Sequence, residues 1–271
     1  MQQYTPELGK QLVREYQNNP DAFLGASTTQ PNQVTATPVG QPKPHTQKAT
    51  GPDVDWDFIK AREGNKESMY VPKADDGTVL DKSGPTIGMG VDLGAWTAAD
   101  FKKAGVSQAV ITKLKGYFGL KKKAADDYVT KNPLTLTTTE VDEVNKAIKG
   151  KILKTLVTKF NAESKTKFED LSQAKQTAVA SVFFQYGPNK PTDPKKLADW
   201  PKNYWKEVTT GDWDKAESNL NNFSDKYPTR RKLEGKLLTA DRKEEFRNKY
   251  KKEKDAGAEI FEWRGKKYTT K

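Results

Sequence analysis

The chain has 271 residues, of which 34% are hydrophobic and 31% charged, so we expect one sizeable domain and some chain outside any core. It has no cysteine and one histidine, His45, in a Pro-, Thr- and Gln-rich stretch, which excludes thiol chemistry and argues against a catalytic triad or a histidine-bound zinc. The formal charge of +11 suits a polyanionic partner, such as nucleic acid, an anionic membrane or the bacterial wall. Alternatively, the charge only keeps a lysine-rich surface soluble.

The N-terminal segment predicts a short helix and a linker. Residues 1–25 carry a capping Thr5 followed by Pro6, and an apolar stripe that needs a partner surface, on this chain or on another protein. Residues 26–52 are rich in Pro, Thr, Gln and Gly, as is typical of a disordered linker. The start of the chain lacks a basic stretch followed by an apolar one, so we expect no signal peptide, and no apolar run is long enough for a membrane helix.

The main domain is predicted from residue 53 to residue 238 and is mostly helical. A first helix opens at Asp53 and ends at Glu63, and the Gly-, Pro- and Asp-rich residues 65–96 contain short strand-like pieces at 69–71 and 86–87. Helical patterns follow at 97–104, 107–115, 121–130, 138–160, 172–186, 201–208, 212–222 and 228–238. Residues 239–271 read as a strongly charged helix to 256 and then a small hairpin or edge strand around Arg264.

Glu63 is the first candidate catalytic group. It ends a helix, and Gly64 follows it. The carbonyl end of a helix disfavours a carboxylate, and partial burial does the same, so both effects favour the protonated form that a general acid needs. Taken alone, a Glu before a helix-ending Gly is usually a solvated surface residue.

A second candidate group is Asp92, at the end of the segment from Gly84 to Asp92. Its glycines at alternate positions allow a tight turn or a close approach of the backbone to another group. Asp75 and Asp76, which precede Gly77, are rival second carboxylates, although Asp-Gly is also the usual composition of an exposed turn.

Several motifs in chain order resemble the phage-type lysozymes of glycoside hydrolase family 24. They are Glu63-Gly64, Thr86-Ile87-Gly88-Met89-Gly90, the helix ending Phe184-Gln185-Tyr186-Gly187, Trp213-Asp214-Lys215-Ala216 through Asn219-Leu220, and Pro228-Thr229-Arg230. The resemblance covers about residues 53–238. It implies an α+β, lysozyme-like fold with a mainly helical large lobe, a small β-containing lobe, and an active site in the cleft between them.

The spacing of the candidate groups resembles the pesticin-like branch of that family. Thr86 lies 23 positions after Glu63, and Asp92 follows Thr86 by six, whereas the T-even phage enzyme has its Asp between the Glu and the Thr. Val91 also replaces the His that the T-even pattern has after the second Gly. Asp92 is therefore preferred over Asp75 and Asp76.

The resemblance implies a muramidase that needs no metal or cofactor. Glu63 would protonate the glycosidic oxygen between N-acetylmuramic acid and N-acetylglucosamine, while Thr86 and Asp92 position and activate water. Phe184, Gln185, Asn219 and Arg230 would form the substrate-binding group. Within it, Arg230 would pair with Glu63. The alternatives are core packing for Phe184 and a surface or cap role for Asn219 and Arg230.

Peptidoglycan is thus the expected partner, and no specific nucleic acid is expected. A phage tail or virion protein is a candidate second partner, through residues 1–25. We expect action in the periplasm or cell wall, after delivery by a virion, through a holin as an endolysin, or by import as a bacteriocin. One rival function is an inactive lysozyme-like binding or structural protein of a virion. A nucleic-acid binder is another, but only the charge supports it.

Overall fold

The computed structural model describes residues 51–74, 76–80, 83–187, 201–223 and 227–270. The helix predicted within 1–25, nearly all of the 26–52 linker, and Asp75 lie outside these ranges. The described part is mostly helical with a small antiparallel sheet, which confirms the α+β prediction. None of its helices is long and apolar enough to cross a membrane.

Three short strands form one antiparallel sheet in the order β1-β2-β3. They are β1 (Lys66–Tyr70), β2 (Thr86–Gly88) and β3 (Val91–Asp92). The predicted strand pieces at 69–71 and 86–87 fall on β1 and β2, but β3 was not predicted because two residues carry no periodic pattern. β2 and β3 are joined by a tight turn and pair Ile87 with Val91, so the Gly-rich segment is a hairpin.

Four helices surround this sheet, each close to its predicted position. They are α2 (Ala98–Lys103), α3 (Gln108–Leu114), α4 (Lys122–Lys131) and the long α5 (Thr138–Glu163). Capping boxes start α2 at Thr97 and α5 at Thr137, where each Thr side chain and the acid three residues later satisfy free N–H groups. Apolar side chains from the sheet, α2, α3 and the first half of α5 form one buried cluster that holds β2 and β3 in place.

The helical part further along the chain is built on α6 (Gln173–Tyr186), which is almost entirely buried. Helix α1 (Trp56–Glu63) and α5 both pack against it. Small residues such as Ala178 and Ala180 have no exposed surface, and their size lets neighbouring helices approach α6 closely. Helices α7 (Lys202–Thr210) and α8 (Trp213–Asn221) follow and pack on each other.

The last helix, α9 (Pro228–Asp255), is continuous over 28 residues. The prediction of separate helical segments at 228–238 and 239–256 is therefore corrected, because no residue between them breaks the helix. By its contacts, the described chain divides into two compact units, one up to Leu237 and one from Leu238 on.

The second unit combines the later part of α9 with a hairpin. Strands β4 (Ile260–Trp263) and β5 (Lys266–Thr269) pair antiparallel, as the alternation around Arg264 predicts. One face of the hairpin and one face of the helix share a buried aromatic cluster: Phe246, Tyr250, Phe261, Trp263 and Tyr268. This small unit therefore has a hydrophobic core of its own.

Candidate active site

Glu63 is the last residue of α1, as predicted, and the backbone of Gly64 turns away at a positive φ of 76°. The other end of α1 is tied to α6, because the backbone N–H of Asp53 donates to Gln176 (2.6 Å) and that of Asp55 donates to Thr177 (2.9 Å). Asp55 also caps the helix by accepting from Phe58. The helix that carries Glu63 is thus fixed at its start.

The carboxylate of Glu63 pairs with the guanidinium of Arg230 at 2.5 Å, and the two side chains are 20% and 9% exposed. The contact that the resemblance implied is present. A guanidinium at this distance stabilises a charged carboxylate, whereas the negative end of α1 disfavours it. The helix end and burial, which favour the protonated form of Glu63, are therefore opposed by the charge of Arg230.

Arg230 is held on several sides besides Glu63. Its Nε donates to Glu234 (3.1 Å), and its second terminal nitrogen donates to the carbonyl (2.9 Å) and the hydroxyl (3.2 Å) of Ser181. Glu234 also accepts from Arg231, which in turn donates to Gln185. Ser181, Arg231 and Glu234 were not singled out in the sequence; acids and bases at helical spacing usually lie on a solvated face.

Thr86 and Asp92 lie directly opposite each other on β2 and β3. Opposed residues in antiparallel strands point to the same face, so these two side chains share one. The buried Thr86 hydroxyl donates to the carbonyl of Gly84 (3.0 Å), and the half-buried Asp92 accepts from the backbone N–H of Gly94 (2.8 Å). A methyl group on Gly84 would stand 2.4 Å from the Asp92 carboxylate, so only glycine leaves room for it there.

The rival Asp76 lies in an exposed turn. Its carboxylate accepts from the hydroxyl (2.6 Å) and the backbone N–H (2.9 Å) of Thr78, and these hydrogen bonds lower its pKa. This is the local bonding of an Asx turn, which explains the side chain without a catalytic role.

Asn145 connects the two halves of the candidate site and was missed in the sequence. Fully buried on α5, it donates to the side chain of Asn65, two residues after Glu63 (2.9 Å). Its oxygen accepts from the backbone N–H of Met89 in the β2–β3 turn (2.9 Å). The available signal in the sequence was an Asn beside Val144 in a helical pattern. Both residues are buried in the structure, and a buried amide requires hydrogen-bond partners.

The expected substrate contacts lie in three environments. Phe184 packs edge-on against Trp56 of α1, with ring centres 6.4 Å apart, and it is half-buried, so a packing role accounts for part of it. Gln185 is engaged by Arg231. Asn219 on α8 approaches the carboxylate of Glu207 on α7 at 3.5 Å, and burial raises the pKa of Glu207. The contacts link Gln185 to the charged groups around Glu63, but link neither Phe184 nor Asn219 to them.

Within the described residues, no group of three or more His, Asp or Glu side chains is arranged to hold a metal ion.

An α+β fold in which a helix-ending Glu precedes a small antiparallel sheet defines the lysozyme-like class of proteins. Within that class, the chain belongs to the pesticin family: residues 53–214 match the family model described as a bacterial toxin homologue of phage lysozyme, C-terminal part. No curated protein matches the chain. The match includes Glu63, Thr86, Asp92, Phe184 and Gln185, whereas Asn219 and Arg230 lie beyond its end.

Proposed function

We propose that the protein is an N-acetylmuramidase, which cleaves peptidoglycan between N-acetylmuramic acid and N-acetylglucosamine. Family membership supports muramidase-type hydrolysis as the class of activity. The observation that carries the proposal is the link through Asn145, which holds the segment after Glu63 and the turn after Thr86 on one buried side chain. A general acid and a water-activating pair need this kind of common support.

In this mechanism, Glu63 donates its proton to the glycosidic oxygen as the bond to the leaving sugar breaks. Asp92 accepts a proton from water, and Thr86 on the same face of the hairpin orients that water. Because water must fit between Asp92 and the anomeric carbon, the two carboxyl groups are expected to stand roughly 6.5–9.5 Å apart and the configuration to be inverted.

Phe184, Gln185 and Asn219 contact the glycan. The main role of Arg230 is to pair with Glu63 rather than to bind the glycan, because its guanidinium is nearly buried and in contact with that carboxylate. The expected place of action is the bacterial wall, and the N-terminal 25 residues are proposed to dock on a virion protein that delivers the enzyme.

Replacing Glu63 tests the proposal directly. Glu63→Gln should reduce digestion of purified peptidoglycan by about 10²–10⁴-fold, because an amide donates no comparable proton. Release of soluble fragments measures the rate, and mass spectrometry of the fragments identifies the bond that is cut.

The matched control is Glu67→Gln, the same substitution on an exposed residue of β1, which should leave the rate unchanged. Circular dichroism and the melting temperature establish that both variants fold. Near-normal activity of folded Glu63→Gln would refute the role of Glu63. An inactive wild-type protein would instead favour the non-catalytic, lysozyme-like alternative.

A further inference from the structure

Glu234 lies behind Glu63, on the far side of the Arg230 guanidinium. Its side chain has no exposed surface. One carboxylate oxygen accepts from Arg230 (3.1 Å) and from the Ser181 hydroxyl, and the other accepts from Arg231. The guanidinium of Arg230 therefore lies between two carboxylates, a half-buried one at the candidate site and a fully buried one.

The contacts of Glu234 favour its ionised form. Arginine N–H groups can only donate, so both carboxylate oxygens must accept. Burial raises the pKa of Glu234, but Arg231, the hydrogen bond from Ser181, and Arg230 act in the opposite direction. Two guanidiniums and a hydroxyl donating to one carboxylate make a satisfied buried anion.

Charged and titratable groups reach this cluster from several elements. They are Arg62 and Glu63 on α1, Tyr204 on α7, and Arg230, Arg231 and Glu234 on α9, and Glu207 on α7 adds a charge near Tyr204. Burial raises the pKa of Tyr204 well above its usual value, so this phenol is neutral. Without Glu234, the guanidinium of Arg230 would still contact Glu63, but the buried carboxylate that now pairs with it would be gone.

We propose that Glu234 is a positioning residue for the muramidase reaction: it fixes Arg230 against Glu63 and offsets the guanidinium charge there. The inference rests on the proposed function, because a general acid has to carry its proton at working pH. Arg230 alone would favour the carboxylate of Glu63. The negative charge of Glu234 weakens that preference, while its hydrogen bonds keep Arg230 in place.

Glu234→Gln tests the charge effect in the full-length protein. Loss of the anion stabilises the Glu63 carboxylate, so the proton leaves at lower pH. We expect the alkaline limb of the kcat profile on soluble peptidoglycan to move down by about one to two pH units. At pH values on that limb, kcat should fall roughly tenfold or more while KM stays within about twofold.

Carbon-13 NMR of the Glu63 carboxyl, assigned by its loss in Glu63→Gln, gives a readout that does not depend on activity. Its titration midpoint should move down with the kcat limb. Glu253→Gln is the matched control, because it removes an acid from the same helix where Glu253 pairs with Lys249 (2.6 Å). It should move neither the limb nor the midpoint, and an unmoved midpoint in folded Glu234→Gln would overturn the proposal.

Glu234→Asp covers the case in which the Gln variant does not fold. Asp keeps the charge but is one methylene too short to keep all three contacts, so kcat should fall about tenfold with the midpoint unchanged. An unchanged kcat would overturn the positioning role. If the midpoint moves in Glu234→Gln but wild-type protein cleaves no peptidoglycan, the coupling of Glu234 to Glu63 stands and the proposed function fails.

Discussion

Asp92 combines a structural contact with a proposed chemical one. One of its carboxylate oxygens accepts from the backbone N–H of Gly94 and so starts the short 3-10 turn at Leu93–Ala95. The same side chain lies on the hairpin face of Thr86. A capping bond does not require charge, because Asn and Asp cap about equally well. The two roles can therefore be separated by one substitution.

Asp92→Asn should keep the fold and lose the activity. The amide oxygen still accepts from Gly94, so we expect a change in unfolding free energy below about 1 kcal/mol. The amide cannot take a proton from water, so hydrolysis should fall by about 10²-fold or more. Thermal melting and the rate on purified peptidoglycan measure the two effects, and NMR of the first product gives its anomeric configuration.

The rival carboxylates are the controls. Asp76→Asn should retain its bonds to Thr78 and near-normal activity. Asp75→Asn should also keep near-normal activity. Full activity in Asp92→Asn together with loss in Asp75→Asn or Asp76→Asn would move the second carboxylate to the T-even position. Retention of configuration would show instead that the second carboxylate acts as a nucleophile.

At the scale of elements, the turn between β2 and β3 is held against α5. Gly88 and Gly90 both have positive φ, 63° and 84°, and both suit a tight turn. Their surroundings differ. A methyl group on Gly88 would lie 2.4 Å from the side-chain oxygen of Asn145, whereas one on Gly90 would meet nothing within 4 Å. Gly88 is therefore needed for the turn and for the close approach of Asn145, whereas Gly90 is needed for the turn alone.

This difference predicts unequal costs for two identical substitutions. Gly90→Ala carries only the backbone strain of about 1–2 kcal/mol. Gly88→Ala carries that strain and also displaces the buried Asn145, leaving polar groups with poor hydrogen bonds, so we expect roughly 3–5 kcal/mol in total. Urea unfolding measures both values. Equal costs would mean that the turn can move away from Asn145, and that Asn145 does not hold the two halves of the site together.

At the scale of the whole molecule, the proposed catalytic groups belong to the chain from Asp53 on. Asp53 is anchored to α6 through its backbone N–H and through its carboxylate, which accepts from Gln173 (2.9 Å). A protein starting at Asp53 should therefore digest purified peptidoglycan at a rate within about twofold of the full chain, because it retains the first contacts of α1.

A protein starting at Asp57 is the matched control for this truncation. It loses the anchors at Asp53 and Asp55 and should melt at a lower temperature. If the protein that starts at Asp53 unfolds or loses activity on purified wall, the first 52 residues are part of the catalytic unit rather than a separate docking segment.

Local patterns were sufficient for most of the secondary structure. The helical patterns at 97–104 and 138–160, the helix stop at Gly64, and the alternation around Arg264 depend on neighbours only a few residues away. One prediction failed for an equally local reason. Residues 228–238 and 239–256 were predicted as two segments because the composition changes between them from mixed to strongly charged. Such a change does not break a helix, and the structure has one continuous helix there.

The sequence by itself determined the helices, the Glu that ends α1 and, through the resemblance, its Arg230 partner. Only the tertiary structure decided what supports them. Ser181 meets Glu234 across 53 positions, and Asn145 meets Asn65 across 80. Such contacts depend on which helix faces pack together, and the pattern of each helix leaves this open. A charged residue at helical spacing can face solvent or a buried arginine. Glu234 is buried, where it accepts from Ser181 of α6 and pairs with Arg230.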